Sequence, residues 1–229
     1  MASLTLYHGS ERIIEHPALA QALPRNDYGP GFYTTRELSM ANEWACKRNH
    51  DGFANRYSLD DSGLAVLDLL DGSHSVLEWI ALLLANRTFL LSAPVARDTR
   101  MLLMDRYLPD LSGIDLVVGY RADDSYFSYA QSFVENAITV EQLSRALVLG
   151  ELGEQTVLVS ERAFAALSFV DAAPVACAEW YPRFAERDAS ARRAWADDVR
   201  GSSAGGTYAI DLVRGEGYDA APIRRPVSG

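Results

Sequence analysis

Cysteine is nearly absent: Cys46 and Cys177 are the only two in 229 residues, and neither belongs to a C-x-x-C pair or a Cys/His cluster. A disulfide framework and a structural zinc site are therefore not indicated, and a reducing, cytoplasmic setting fits best. Long apolar runs are missing too. The longest, residues 79–85, is far short of the roughly 20 residues that a bilayer span needs, and residues 1–4 do not begin a basic stretch followed by an apolar one, so neither a membrane association nor a secretory signal is expected. Positive charge is in deficit, with 21 Lys and Arg against 31 Asp and Glu, a net charge of −10. Such a chain repels phosphate backbones at long range, which argues against stable duplex DNA binding but leaves room for a small anion held by local donors. No internal repeat or low-complexity tract interrupts the sequence.

What is there is the composition of a folded globular chain, 48% hydrophobic and 23% charged, at a length that suits one full-sized domain with additions. Residues 4–7 alternate apolar and polar side chains of β-favouring types and deliver His8 at the end of a short strand, which Gly9-Ser10 closes. Pro17 divides residues 11–20 into a turn and a short helix, and residues 24–31 are loop by composition. A second strand follows at 31–35 and a helix at 37–47 that carries Trp44. Residues 53–59 and 64–69, joined by Asp60-Asp61-Ser62-Gly63, read as a hairpin. Residues 75–87 read as a helix capped by Ser73 or Ser75 with one buried face, and a further helix is expected near 100–107.

Residues 114–120 are β-like, 126–136 and 140–149 helical, 155–159 a strand and 161–167 a short helix. Beyond Asp171 the texture changes, with Pro174, Pro182, an alanine- and arginine-rich segment and a glycine-serine run, so residues 1–171 read as the domain and 172–229 as a helical or irregular appendage. Phe184, Ala191, Trp195 and Val199 recur at helical spacing, the pattern of an amphipathic helix lying on the domain or on a partner. Residues 207–213 read as a further strand and 222–229 as a fraying end. His16, His50 and His74 stand in loops and are assigned no role. Asp123-Asp124 reads as a turn or an acidic lip, and no metal site is expected.

Three ordered segments carry a resemblance. His8-Gly9-Ser10, then Gly29-Pro30-Gly31-Phe32-Tyr33, then a late strand with Gln155 in second place, resemble the H-G-S, G-x-G-x-Y and glutamate-bearing segments of the diphtheria-toxin-like ADP-ribosyltransferases, the group that includes the poly(ADP-ribose) polymerases. The pattern here is His, Tyr, Gln. The stretch from His8 to Phe169 is also similar to a bacterial family of uncharacterised domains of that clan, whose members are suspected toxins or effectors.

The resemblance implies an α+β fold, a split β-sandwich with flanking helices that holds NAD, as substrate, between two small sheets. His8 would bond a ribose hydroxyl, the Gly9 backbone would pair with the nicotinamide carboxamide where a side chain would collide, and Ser10 would add a hydroxyl bond. Gly31 belongs to the turn that presents Tyr33, which would stack on the nicotinamide ring, and Trp44 would wall the pocket. Gln155 keeps the hydrogen bond to the ribose 2′-hydroxyl but lacks the charge of the family's glutamate; Asp123, Asp124 and Glu151 are candidates to supply it. Mono-ADP-ribosyl transfer to a macromolecular or small acceptor suits this departure, with an antitoxin or other protein as a partner. The alternatives are an inactive NAD-binding or protein-interaction module and an NAD glycohydrolase.

Overall fold

The computed structural model describes residues 3–46, 50–122, 124–149, 153–201, 205–215 and 222–224. The fold is α+β, built on two small sheets. Strand β1 (Leu4–Ser10) leads through a single helical turn at Leu19–Gln21 to β2 (Phe32–Thr34) and helix α1 (Leu38–Ala45). Then come β3 (Gly52–Leu59), β4 (Val66–Asp68), β5 (Asp71–Ser75), α2 (Val76–Asn86), α3 (Pro94–Arg106) and β6 (Leu116–Tyr120). The chain continues through α4 (Asp124–Val134), α5 (Val140–Leu149), β7 (Glu154–Leu158), α6 (Glu161–Ala165) and β8 (Leu167–Val175). Helix α7 (Cys177–Gly201), α8 (Ala209–Val213) and β9 (Pro222–Arg224) follow.

The first sheet has the order β1-β3-β8 and is antiparallel throughout; the second runs β2-β7-β6-β4, and β5 pairs with β9 in a third. The two main sheets touch where Tyr7 and Thr35 exchange backbone hydrogen bonds of 2.8 and 2.9 Å. That link sets the end of β1, where His8 and Gly9 stand, beside the end of β2, where Tyr33 stands. Strand β6 is buried along its whole length between β7 and β4, as its unbroken Leu-Val-Val run requires. At the edge of the first sheet, β8 is largely exposed and accommodates Pro174, whose missing N–H an edge strand tolerates.

Several expectations change. Residues 53–59 and 64–69 do not form a hairpin: β3 pairs with β1 and β8, whereas β4 lies parallel to β6 in the other sheet. Leu59 and Leu64 pack into one small cluster, and Leu69 goes to the main core, so burial separates what the turn residues would have joined. Helix α2 is buried nearly all round, from Val76 through Leu84, and not on one face. Of the two expected caps it is Ser75 that starts the helix, in a reciprocal capping box with Glu78. Residues 207–213 give the short helix α8, whose Ala209 and Leu212 pack into the main core, in place of a strand. After α6 the chain enters β8, a strand the sequence reading lacked, which runs across residue 171.

Helix α7 lies on the domain. Its Trp180 and Tyr181 pack against Ala41, Ala45 and Val175, Ala191 is buried, and Trp195 stacks on Tyr129 of α4 with ring centroids 4.3 Å apart. No helix among the described residues is long and apolar enough to cross a membrane.

Candidate functional site

A cavity of about 430 Å³ opens between the sheet ends, α1 and α7. It is lined by His8 from β1, Tyr33 from β2, Trp44 from α1 and Gln155 from β7, so four residues far apart in sequence converge on one space. Asn26, Asp27, Arg87, Arg121, Ala122 and three residues of α7, Phe184, Asp188 and Arg192, complete the wall. Three arginines face two aspartates, which leaves a positive excess inside a chain of charge −10. An anionic ligand would find its local donors here.

His8 is half-buried, with its ring against Phe32 at 4.6 Å between centroids. Its Nδ1 lies 2.7 Å from the Tyr33 carbonyl oxygen. A carbonyl only accepts, so Nδ1 carries the proton and the neutral ring keeps Nε2 as an acceptor. Burial pushes the imidazole pKa below its ordinary value, outweighing the opposite pull of that hydrogen bond. The ring is therefore neutral near pH 7.

Gly9 presents its backbone to the same region by strand geometry. Tyr7 spends its N–H and C=O on Thr35; residues two apart in a strand point their backbone groups the same way, so those of Gly9 face away from β3, beyond the Tyr7–Thr35 link. Its missing side chain has a packing cause, beside the ligand collision expected. A Cβ there would stand 1.9 Å from the Ala41 carbonyl oxygen and 2.5 Å from the Ala45 nitrogen, so it is α1 packing on β1 that requires glycine. Ser10 does not line the cavity: its hydroxyl bonds the Arg12 carbonyl oxygen at 2.5 Å and accepts from Asn55 Nδ2 at 3.1 Å. Gly31 lines a neighbouring cavity of about 280 Å³ that shares His8 and Tyr33 with the first.

The Tyr33 hydroxyl holds the preceding loop, donating to the Gly29 carbonyl oxygen at 2.7 Å and accepting from the Tyr28 N–H at 3.0 Å. Burial raises its pKa, so it stays a phenol. Trp44 buries its indole Nε1, which has no acceptor among the described residues, and the Arg121 guanidinium sits 5.0 Å above the ring.

Gln155 is 2% exposed. Its Nε2 donates to Asp27 Oδ2 at 3.2 Å and lies 3.4 Å from the Tyr120 carbonyl oxygen, which also accepts from the Tyr28 hydroxyl at 2.7 Å and Trp79 Nε1 at 3.2 Å. Asp27 is the residue that sequence reading missed. It is 6% exposed, and Arg87 at 2.6 Å and the Ala122 N–H at 2.9 Å bond it as well. Its partners stand 60, 95 and 128 positions away, so nothing local marks it. Of the carboxylates expected near Gln155, Asp123 and Glu151 lie outside the described residues, and Asp124 opens α4.

The profile of a family described as protein of unknown function (DUF3990) matches residues 4–169, which takes in the second sheet whole and the first as far as the opening residues of β8, and the chain belongs to that family. No curated protein and no solved structure matches. The matched span ends before α7, so Phe184, Asp188 and Arg192 reach the cavity from outside it.

Proposed function

We propose that this chain is an NAD-dependent mono-ADP-ribosyltransferase, a bacterial toxin or effector acting on a macromolecular acceptor. The observation that carries the reading is the convergence of His8, Tyr33, Trp44 and Gln155 on one cavity with an arginine excess. Two small sheets linked at Tyr7 and Thr35, with the cavity at their junction, suit the split β-sandwich of the ADP-ribosyltransferases. The nicotinamide carboxamide pairs with the Gly9 backbone beside Tyr33 and Trp44, a ribose hydroxyl donates to His8 Nε2, and the pyrophosphate meets the arginines. The cavity is of ordinary size for a small-molecule site, and its neighbour across His8 and Tyr33 extends it.

In the reaction, the bond between ribose C1′ and the nicotinamide nitrogen breaks heterolytically. Its electron pair neutralises the pyridinium, nicotinamide leaves, and the oxocarbenium ion at C1′ is attacked by a lone pair of the acceptor, which then gives up a proton. Gln155 bonds the ribose 2′-hydroxyl. The uncharged Gln155 favours a second reading, a module that binds NAD without turning it over.

Labelled NAD incubated with the purified protein and cell lysate, beside His8→Ala and Gln155→Ala, separates the readings. Label entering protein or nucleic acid, lost in both variants, is the expected result. Free nicotinamide without transfer means a glycohydrolase; NAD binding with neither product means the inactive module.

A further inference from the structure

We propose that Asp27 and Gln155 act as one unit, dividing between two residues the charge and the hydrogen bond that a single glutamate would combine. The proposal rests on the transferase reading. The Gln155 amide has two N–H donors, and the atoms they meet, Asp27 Oδ2 at 3.2 Å and the Tyr120 carbonyl oxygen at 3.4 Å, only accept. That fixes the orientation of the amide and leaves Oε1 as its one group for a ligand. Asp27 is thus the residue that aims Gln155.

The same contact polarises it. A carboxylate accepting from an amide N–H draws electron density toward the amide oxygen, more strongly where both groups are shielded from water, as here. Donors are divided over the two oxygens of Asp27: Arg87 takes Oδ1, while the Ala122 N–H and Gln155 share Oδ2. The side of the carboxylate turned to Gln155 is therefore not the side that Arg87 pairs. Asp27 itself lines the cavity, so its field also reaches a positive charge developing on a bound ribose.

The loop is built to hold that placement. Tyr33 ties residues 28 and 29 through its hydroxyl, and Tyr28, 2% exposed, passes its ring under β6 to donate to Tyr120. It fits because residue 119, the pairing partner of Gln155, is glycine: a Cβ there would stand 2.2 Å from the Tyr28 hydroxyl oxygen. Asp27 is a positioning residue for Gln155, and the carboxylate of the pair.

The test is a charge swap, with nicotinamide release and NAD affinity measured for the wild type, Asp27→Asn, Gln155→Glu and the double variant. Asp27→Asn is expected to lower kcat by about 10-fold or more while NAD affinity stays within about 3-fold, the pattern of an interaction made in the transition state. The double variant moves the carboxylate to position 155 and restores most of kcat, a rescue that a merely structural role for Asp27 would not give. Gln155→Glu alone sets two carboxyl groups against each other and adds an ionisation to the pH profile of kcat. This last measurement decides if Asp27→Asn fails to fold, and an unchanged profile would then overturn the pair. Full turnover in Asp27→Asn, or a double variant no better than it, overturns the pair and leaves the transferase reading standing. A wild-type chain that releases no nicotinamide overturns that reading and the pair's role with it.

Discussion

Arg187 of α7 clasps Glu43 of α1, its Nε at 2.8 Å and its Nη2 at 2.6 Å from the same carboxylate oxygen. Both side chains are largely buried, and Glu43 precedes Trp44, so the clasp ties α7, which brings Phe184, Asp188 and Arg192 to the cavity, to the part of α1 that brings Trp44. Removing one partner strands the other, at a cost of about 2 kcal/mol or more, whereas removing both costs less. Glu43→Gln and Arg187→Met should each lower denaturant stability more than the double variant does. Hydrogen exchange in residues 177–201 should rise in both single variants; unchanged exchange would show that α7 is held by Trp180, Tyr181 and Trp195 alone.

His8 makes stability depend on pH with a definite sign. Its folded pKa lies below the ordinary value of 6.5, so in the window between them the unfolded chain binds more protons than the folded one. The contribution is present above pH 6.5 and is lost as pH falls through the folded pKa. Thermal melts between pH 8 and pH 5 should therefore show a steeper acid loss for the wild type than for His8→Gln. NAD affinity should fall over the same window, because the protonated ring no longer offers Nε2 as an acceptor. Parallel pH profiles for wild type and variant would remove His8 from this role.

The elements that carry the candidate site were largely legible because they are short and strongly patterned. His8 follows an alternating run, Tyr33 follows a glycine turn, and Gln155 belongs to a β-favouring run; local order places these strands, and it is the resemblance that singles out the three side chains on them. Asp27 was not legible, since a lone acid in a loop of turn residues acquires meaning only from Arg87, Ala122 and Gln155, which tertiary packing brings to it. The hairpin expected at 53–69 failed for a related reason: its turn chemistry was right, with Asp60 bonding Ser62, but the second strand found a better-buried partner in β6. Helix α7 was legible as an amphipathic helix, yet nothing in its spacing said that Phe184 and Arg192 would close a cavity whose other walls include His8 and Tyr33, far away near the start of the sequence.

Gly9 offers a test that separates packing from ligand contact. Alanine there would press on the Ala41 carbonyl oxygen and the Ala45 nitrogen, both backbone atoms of α1, so α1 must move away from β1. The overpacking cost should be on the order of 3 kcal/mol. Gly9→Ala is expected to lose that stability in chemical denaturation without NAD present. A stable Gly9→Ala protein that simply bound NAD poorly would shift the cause of the glycine back to the ligand.

Trp44 carries the most economical ligand test, because its indole does two separable things. The ring walls the cavity and underlies Arg121, while Nε1 is a buried donor without an acceptor among the described residues. Leaving such a donor unmet costs about 1–3 kcal/mol, which a ligand oxygen placed there would recover on binding. Trp44→Phe keeps an aromatic wall and deletes the donor. It should leave the melting temperature unchanged or slightly raised and weaken NAD binding by about 5-fold or more. Calorimetric titration with NAD measures this directly; unchanged affinity would mean that Nε1 meets no ligand atom and that Trp44 serves the cavity by shape alone.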